Sequence, residues 1–193
     1  MTGVRTDDGR VFAADAVVIG IGAIPNAELA AQAGLDCADG IVVDEALRTH
    51  DPDVFVAGDV ASAYHPFYGT HLRSEHWANA LHGAPVAARS ILGRPAAYDR
   101  LPYFYTDQYD IGMEFCGRIG PDGYDQLVTR GDVEGAVFQA FWLTDGRVVA
   151  GMHINLWDDG IAPIEELIRR AETADPARLT DPSIPLTADT VPR

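Results

Sequence analysis

The segment VFVAGDVA, residues 54–61, combines an apolar stretch with a glycine and a carboxylate. We predict that the apolar stretch is a strand, and open α/β sheets bind ligands beyond the carboxyl ends of their strands. Gly58 lets a ligand approach the backbone closely, and an ionised Asp59 accepts hydrogen bonds from hydroxyl groups such as those of a ribose or ribityl chain. Because a strand followed by Gly-Asp is also common as a structural turn, the segment alone leaves a binding site and a turn as equal alternatives.

The segment RSEHWANA, residues 73–80, places an aromatic residue at a predicted helix start. Ser74 is the predicted N-cap, and Glu75, His76 and Trp77 follow it. The free backbone N–H groups and the dipole of a helix start stabilise negative charge on a ligand. Trp77 is equally consistent with a side chain of the hydrophobic core, so a ligand site and a core position both stay open.

Other patterns in the sequence approach known sites but lack a required feature. The segment GIGAIP, residues 20–25, has Pro25 where a dinucleotide-binding fingerprint needs its third glycine, and no acidic residue follows at the required distance. Cys37 and Cys116 each stand alone, so they form neither a zinc motif nor a redox pair. Four histidines lie close together in sequence, but their spacing does not match a zinc-binding motif: His65, His71, His76 and His82. We therefore predict no metal site, and no Ser-His-Asp or Cys-His signature is recognisable.

The composition restricts the class of protein. The chain has 193 residues, 47% of them hydrophobic, and a formal net charge of −15. Such a charge disfavours binding to nucleic acid or to an anionic membrane surface. No apolar run approaches the roughly 20 residues of a membrane-spanning helix, and the N-terminus lacks the basic-then-apolar pattern of a signal peptide. We therefore predict a soluble cytoplasmic protein.

The predicted elements begin with a short hairpin. Residues 4–12 indicate two strands around an Asp-Gly turn. A ribbon this short is not stable alone in water, so we expect it to belong to a sheet whose other strands lie outside this chain. Residues 16–22, AVVIGIG, are typical of a strand buried on both faces. A short helix follows, with Asn26 as its predicted N-cap and Gly34 at its end.

The candidate site residues lie among further predicted strands and a longer helix. Residues 41–44 and 54–57 are apolar or β-branched and are predicted as strands. The helix is predicted over residues 75–92, with Gly93 as its stop. Pro85 lies inside this helix and is expected to kink or interrupt it.

The pattern changes near residue 97 to that of an antiparallel α+β module. Strands are predicted at residues 109–119, 124–130, 136–143 and 147–156, followed by a helix at 161–174 and a Pro-rich tail. The turn signals between these strands are residues 120–123 and 144–146.

Five segments, taken together in their order and spacing, resemble the C-terminal portion of the FAD-dependent pyridine-nucleotide oxidoreductases of the ferredoxin and rubredoxin reductase family. The segments are VIGIGAIPN (residues 18–26), GIVVD (40–44), FVAGDV (55–60), EHWANA (75–80) and TDQY (106–109). As a set they are far more specific than any one of them, and they cover most of the chain.

The resemblance implies a fold and a division into domains. The implied fold is an α/β, partial FAD/NAD(P)-binding Rossmann-like region followed by an α+β C-terminal domain with an antiparallel sheet. Residues 1–25 would be the end of the NAD(P)H-binding domain and its crossover. Residues 26–96 would be the C-terminal part of the FAD-binding domain, and residues 97–193 the reductase C-terminal domain.

The resemblance also implies cofactor-binding roles. Asp59 would bind the ribityl chain of FAD, and the backbone of Trp77 would contact the isoalloxazine ring. Tyr105 occupies a position where relatives often have a tryptophan, near the flavin and the exit of electrons. The full implied set of cofactor-binding residues is Gly58, Asp59, Val60, Glu75, His76, Trp77 and Tyr105.

The complete enzyme that the resemblance implies would oxidise NAD(P)H through FAD and pass single electrons to a [2Fe-2S] ferredoxin or a rubredoxin. A homodimer is a further option for its assembly. An acidic partner would need a basic docking patch. The arginines nearest to the site in sequence are Arg73, Arg89, Arg94 and Arg100.

Two other functions remain as alternatives. The sequence lacks both glycine-rich nucleotide fingerprints that the family needs, so we expect the chain alone to be inactive. The main alternative is therefore a stand-alone dimerisation or interaction module with a vestigial flavin site. A protein similar to apoptosis-inducing factor has the same layout, but it fits less well because the sequence shows no localisation signal.

Overall fold

Sheets and helices alternate along residues 2–186, the part of the chain that the computed structural model describes. In chain order the strands are β1 (Gly3–Arg5), β2 (Val11–Ala13), β3 (Cys37–Ala38), β4 (Gly40–Val43), β5 (Ala61–His65), β6 (Thr70–Leu72), β7 (Tyr103–Gln108), β8 (Ile111–Gly117), β9 (Gln126–Asp132), β10 (Val137–Thr144) and β11 (Arg147–Ile154). The helices are α1 (Glu28–Gln32), α2 (Trp77–Ile91), α3 (Ala162–Arg170) and α4 (Pro176–Thr180). None of the helices within residues 2–186 has the length and apolar character needed to span a membrane.

The predicted N-terminal hairpin is present. β1 and β2 pair in antiparallel register, with Gly3 opposite Ala13. The turn between them needs a left-handed residue, and Gly9 supplies it with a φ of +84°. Among the described strands these two pair only with each other, so the ribbon forms a sheet of its own.

Residues 14–27 follow an irregular path, and the prediction of a buried strand at residues 16–22 is wrong for this chain. Val18 is 98% exposed, and Ile19 and Ile21 are also exposed. A strand that is buried on both faces needs neighbouring strands and covering layers. No strand within residues 2–186 pairs with this segment, so its apolar side chains remain in solvent.

Both helices of the first half have N-caps that differ from the predicted ones. α1 is preceded by Ala27, which makes no side-chain cap bond, so the predicted cap at Asn26 is wrong. α2 is preceded by His76, whose ring Nδ1 accepts a hydrogen bond from the Ala78 N–H at 3.2 Å, so the predicted cap at Ser74 is also wrong. The extended backbone of His76 lets its ring fold back over the first turn of α2, as N-cap side chains do.

Pro85 lies within α2 without interrupting the helix. Proline has no N–H, so the carbonyl of Leu81, four residues earlier, loses its helical partner. Both residues are exposed, and water can therefore hydrogen-bond to that carbonyl.

The four-stranded sheet has the order β3-β4-β5-β6, and only its central pair is parallel, with Ile41 opposite Ala61. The strand predicted at residues 54–57 is wrong, because this segment makes a single bridge between Phe55 and Arg48. The segment therefore pairs with the backbone on one side only, near Arg48. The regular strand pairing with β4 begins later, at Ala61. A small core beneath this sheet contains Val43, Leu47, Val56, Ala61, Ala63 and Ala87.

The five-stranded antiparallel sheet has the order β7-β8-β11-β10-β9. The four strands predicted after residue 108 are present with shifted ends. The sequence did not predict β7, an edge strand whose partner among the described strands is β8. Tyr109 belongs to the turn between these two strands, with a φ of +60°, and does not begin the next strand as predicted.

α3 and α4 complete the second half of the chain. The helix predicted at residues 161–174 is α3, which ends early because Ala171 adopts a left-handed conformation. The Pro-rich tail contains the short helix α4, and residues 187–193 of that tail lie outside the described residues. The core between the sheet and these helices contains Leu101, Cys116, Val128, Phe141, Leu143, Val148, Ile164, Leu167, Ile168, Ala174 and Leu179.

Candidate functional site

The Gly58–Asp59–Val60 loop leads directly into β5, a central strand of the four-stranded sheet. Gly58 has a φ of +82°, and a Cβ added there would lie 3.6 Å from the Ala80 Cβ of α2. The Val60 carbonyl accepts a hydrogen bond from the Ile41 N–H at 2.7 Å, which ties the loop to β4. The Asp59 side chain is exposed and accepts no hydrogen bond from any residue of the described range. The loop therefore offers a free carboxylate on a fixed backbone.

The start of α2 lies beside this loop. Trp77 is 64% exposed, so the interpretation of Trp77 as a core residue is wrong. Its backbone N–H has no acceptor within residues 2–186, as expected for the first residue of a helix. Because the His76 Nδ1 accepts the Ala78 N–H, the neutral His76 ring carries its proton on Nε2. Two donors, the Trp77 N–H and the His76 Nε2–H, are thus assigned to this end of the helix.

Arg73 joins the loop to the helix start. Its Nε donates to Asp39 Oδ1 at 2.7 Å, and its Nη1 donates to the Asp59 carbonyl oxygen at 3.3 Å. The same Nη1 also donates to Glu75 in a close ion pair. The hydrogen bond to Glu75, followed by that to Asp39, raises the pKa of Arg73 above its usual value. The Arg73 side chain is only 13% exposed, so it is not available to dock a partner protein as predicted.

Aromatic side chains of β7 face the same helix start. The Tyr105 ring centroid lies 5.2 Å from that of His76, and the Tyr103 ring lies 6.4 Å from it. The structure therefore brings Tyr105 next to the residues at the start of α2, although they are separated by nearly thirty positions in sequence. Tyr105 is 40% exposed, so part of its ring is open to solvent beside the His76 ring.

A chain of hydrogen bonds that the sequence did not predict links Tyr103 to a buried histidine. The Tyr103 hydroxyl donates to Glu114 Oε1 in a short hydrogen bond, and Glu114 Oε2 lies 2.7 Å from His153 Nε2. His153 is fully buried. Burial, and then the hydrogen bond to Glu114, raise the pKa of Tyr103 well above its usual value. Glu114 of β8 lies directly opposite Tyr105 of β7 on one side and His153 of β11 on the other. This arrangement depends on the strand register, which the sequence alone does not reveal.

A cavity lies between the Gly58 loop, the start of α2 and residues 98–103. Its polar lining includes the Tyr98 hydroxyl, which donates to Asn79 Oδ1 at 2.9 Å, and Asn79 in turn donates to the Ser74 carbonyl. Gly58, Ser74, Asn79, Tyr98 and Tyr103 are among the residues that line it. Within residues 2–186, no three metal-ligating side chains are arranged to hold a metal ion.

These features fit a cofactor with a hydroxylated chain and a flat aromatic ring. Gly58 leaves room for close approach, and the free carboxylate of Asp59 accepts hydrogen bonds from hydroxyl groups. The unpaired N–H of Trp77 suits a partly negative oxygen or nitrogen of such a ring, and the Tyr105 ring supplies an aromatic surface.

Comparison with known families gives two matches in the order of the chain. Residues 1–84 match the family described as pyridine nucleotide-disulphide oxidoreductase. Residues 103–189 match the family described as reductase C-terminal. In this order the two matches make the chain similar to the C-terminal portion of a pyridine-nucleotide reductase.

Two curated relatives are ferredoxin reductases by name. The ferredoxin–NAD(+) reductase component of the anthranilate 1,2-dioxygenase system of Burkholderia cepacia is 42% identical, over 95% of this chain and 44% of the relative. Putidaredoxin reductase of Pseudomonas putida is 35% identical, over 96% of this chain and 43% of the relative. The chain thus spans less than half the length of these ferredoxin reductases.

Solved structures give the same relationship. The ferredoxin reductase for the CYP199A2 system of Rhodopseudomonas palustris aligns with a TM-score of 0.88 and 34% identity, over 98% of this chain and 46% of its own. The covalent putidaredoxin reductase–putidaredoxin complex aligns with a TM-score of 0.84 and 35% identity, over 96% of this chain and 44% of that one. The predicted fold class and the predicted resemblance to the ferredoxin reductases are confirmed, and FAD and NAD(H) are the cofactors of the matching family.

Proposed function

We propose that this chain is the C-terminal half of a flavoprotein reductase that passes electrons from NAD(P)H through FAD to a ferredoxin or rubredoxin. The observation that carries the proposal is the meeting of the Asp59 loop, the unpaired Trp77 N–H and the Tyr105 ring at one place. In this assignment residues 1–25 end the NAD(P)H-binding domain, residues 26–96 complete the FAD-binding domain, and residues 97–193 are the reductase C-terminal domain.

The proposed roles of the site residues follow from their chemistry. Asp59 accepts hydrogen bonds from the ribityl hydroxyls of FAD, while Gly58 and Val60 hold the loop close to the cofactor. The N–H of Trp77 and the Nε2–H of His76 donate to the polar edge of the isoalloxazine ring. FAD, when bound, supplies the exchange between two-electron and one-electron transfer.

Tyr105 and the exposed arginines are the proposed contacts on the electron-exit side. Tyr105 lies beside His76 on an edge strand, where a partner protein could approach. With Arg73 buried in ion pairs, the docking patch reduces to Arg89, Arg94 and Arg100, which are all exposed. These charges would attract an acidic partner and would accelerate its association at low ionic strength.

We also propose that the chain does not transfer hydride by itself. Its sequence contains no G-x-G-x-x-G fingerprint for either nucleotide. Partner choice and turnover then belong to the complete reductase, whereas the half-site around Asp59 can be tested in this chain.

The experiment is a fluorescence titration of FAD with the purified chain. The wild type is expected to bind FAD, but too weakly to retain it through desalting because the sequence lacks both glycine-rich fingerprints, and the Asp59→Ala variant is expected to bind FAD about tenfold more weakly still. Asp53→Ala is the matched control, because Asp53 is an exposed carboxylate in the preceding turn. A folded wild type that does not bind FAD, or equal FAD affinities of the two variants, would contradict the proposed half-site.

A second candidate function is a stand-alone dimerisation or interaction module with a vestigial flavin site. It is supported by the self-contained core between the five-stranded sheet and helices α3 and α4. Light scattering that finds a stable dimer, together with no affinity for flavin, would favour this module over the reductase half.

A further inference from the structure

Arg73 contacts three separate parts of the candidate site with one guanidinium group. Asp39 belongs to the turn between β3 and β4, Asp59 to the loop before β5, and Glu75 to the segment before α2. These parts are distant in sequence and share no other side chain that bridges all of them within residues 2–186. The planar, five-donor fork of arginine suits such multiple contacts, whereas lysine offers one point of charge.

The backbone beneath Arg73 is packed closely against the loop. A Cβ added to Gly40 would lie 2.5 Å from the Val60 carbonyl oxygen and 2.9 Å from the Arg73 Cδ. Gly40 also has a φ of +88°, which disfavours any other residue. Two successive carbonyls of the loop are therefore held: that of Asp59 accepts from Arg73, and that of Val60 accepts from the Ile41 N–H of β4.

The charges around Arg73 give it a second effect. Asp39 and Glu75 place two carboxylates against one guanidinium, in a chain whose formal net charge is −15. Arg73 pairs with these two carboxylates and with the main chain of Asp59, which leaves the Asp59 carboxylate free. Removal of the guanidinium would leave Asp39 and Glu75 without their cationic partner beside the loop where a hydroxylated ligand would bind.

We propose that Arg73 is a positioning residue, which aims the free Asp59 carboxylate at the ribityl chain of a flavin by clamping the loop to β4 and to the start of α2. This inference rests on the proposed flavin site and assigns to Arg73 a role distinct from docking of a partner protein. Arg73 itself does not touch the flavin, and its effect reaches the ligand only through Asp59.

The test uses the full chain and two readouts. Residue-resolved amide hydrogen exchange follows the Ile41 and Ala61 N–H groups, which donate to the Val60 and Gly58 carbonyls of the loop. Fluorescence titrations measure affinity for riboflavin, which has the ribityl chain, and for lumiflavin, which lacks it. The variants are Arg73→Gln and Arg73→Lys. The matched control is Arg170→Gln, because Arg170 forms an ion pair with Glu166 on α3, far along the chain from the loop.

In both Arg73 variants we expect exchange at Ile41 and Ala61 to accelerate by about tenfold or more, while amides of β10 and β11 keep their rates. Riboflavin affinity should fall by about tenfold, and lumiflavin affinity should stay within about twofold, because only the contact through Asp59 is lost. The Arg170→Gln control should match the wild type in both readouts.

Three results would overturn the proposal. Unchanged exchange at Ile41 and Ala61 would mean that Arg73 does not clamp the loop. Equal losses for riboflavin and lumiflavin would mean a general structural role. A wild type that binds neither flavin would contradict the proposed flavin site itself, and this outcome is separable because it needs no variant.

Discussion

The Glu114 carboxylate joins side chains from three neighbouring strands. It accepts the Tyr103 hydroxyl from β7 and lies 2.7 Å from the His153 Nε2 of β11. Because Nε2 faces a carboxylate, it carries the imidazole proton and acts as the donor. The Glu114–His153 pair therefore holds the Tyr103 side chain in place. Because Tyr105 is on the same strand, the position of its ring beside the candidate flavin site depends on this contact as well.

Removal of the Glu114 carboxylate should lower the stability of the fold. Glu114→Ala leaves the Tyr103 hydroxyl and the buried His153 N–H without an acceptor, at about 1–3 kcal/mol for each buried unpaired group. We expect the free energy of unfolding, measured by urea denaturation, to fall by about 2–4 kcal/mol. Glu166→Ala removes an exposed ion pair with Arg170 and should change stability by less than about 1 kcal/mol. Similar losses in the two variants would contradict the burial of this chain of hydrogen bonds.

His65 makes the stability of the fold depend on pH. Its Nε2 donates to the Arg100 carbonyl at 2.9 Å, and its Nδ1 is buried without a partner in the described residues. Burial lowers the pKa of His65 below its ordinary value of 6.5, and the hydrogen bond to Arg100 opposes this shift only in part. The unfolded chain therefore binds a proton at a higher pH than the folded chain does.

The stability contributed by neutral His65 should be present above about pH 6.5 and should be lost as pH falls through its lower, folded pKa. His65→Gln keeps a donor for the Arg100 carbonyl but does not titrate. Urea denaturation at pH 7.5 and at pH 5.5 should show a steeper fall in stability for the wild type than for this variant. Parallel falls would show that His65 does not cause the pH dependence.

At the scale of elements, the start of α2 organises the candidate site. His76 caps the helix through its Nδ1, which leaves the Trp77 N–H free and fixes which ring nitrogen carries the proton. Arg73 holds the preceding segment against the loop at Asp59. The helix end therefore combines a structural cap with the donors that the proposed flavin site needs.

The cap can be tested by thermal or urea unfolding. His76→Ala should lower the free energy of unfolding by about 0.5–2 kcal/mol, the usual cost of a lost N-cap. Ser74→Ala should cost less than about 0.5 kcal/mol, since the Ser74 side chain caps nothing and its carbonyl can still accept from Asn79. A larger loss of stability in Ser74→Ala than in His76→Ala would mean that Ser74 is the N-cap of α2.

At the scale of the whole molecule, residues 14–27 carry several large apolar side chains that do not pack against the rest of the described chain. Val18, Ile19, Ile21 and Ile24 are each at least 74% exposed, whereas Phe141 in the second core is fully buried. A continuous run of exposed apolar side chains of this kind marks a surface that binds another protein segment. Under the proposed assignment, the rest of an NAD(P)H-binding domain would cover it.

The consequence for stability is that polar substitutions in this run should cost almost nothing. Val18→Asp with Ile21→Asp should change the free energy of unfolding by less than about 0.5 kcal/mol, while the fluorescence of an apolar dye bound to the chain should decrease. Phe141→Ala, as a contrast, should cost about 3–5 kcal/mol. A large loss from the double variant would mean that this run is packed in solution.

Local sequence determined the features that depend on nearby residues. The Asp-Gly turn specifies the first hairpin, because Gly9 alone tolerates the left-handed backbone there. Turn residues at 120–123 and 144–146 separate β8, β9, β10 and β11 as predicted. The order of the five segments around Asp59 and Trp77 was sufficient to recognise the reductase family.

Tertiary structure decided the features that depend on partners far away in sequence. Residues 16–22 have the composition of a buried strand, yet burial requires neighbours that the described chain does not provide. The pairing of Glu114 with His153 follows from strand register, which brings residues 39 positions apart into contact. Arg73 looked available for docking until its three partners, contributed by separate elements, were known. Composition and turn residues act within a few positions of the chain, whereas burial and ion pairing are set by which elements fold against each other.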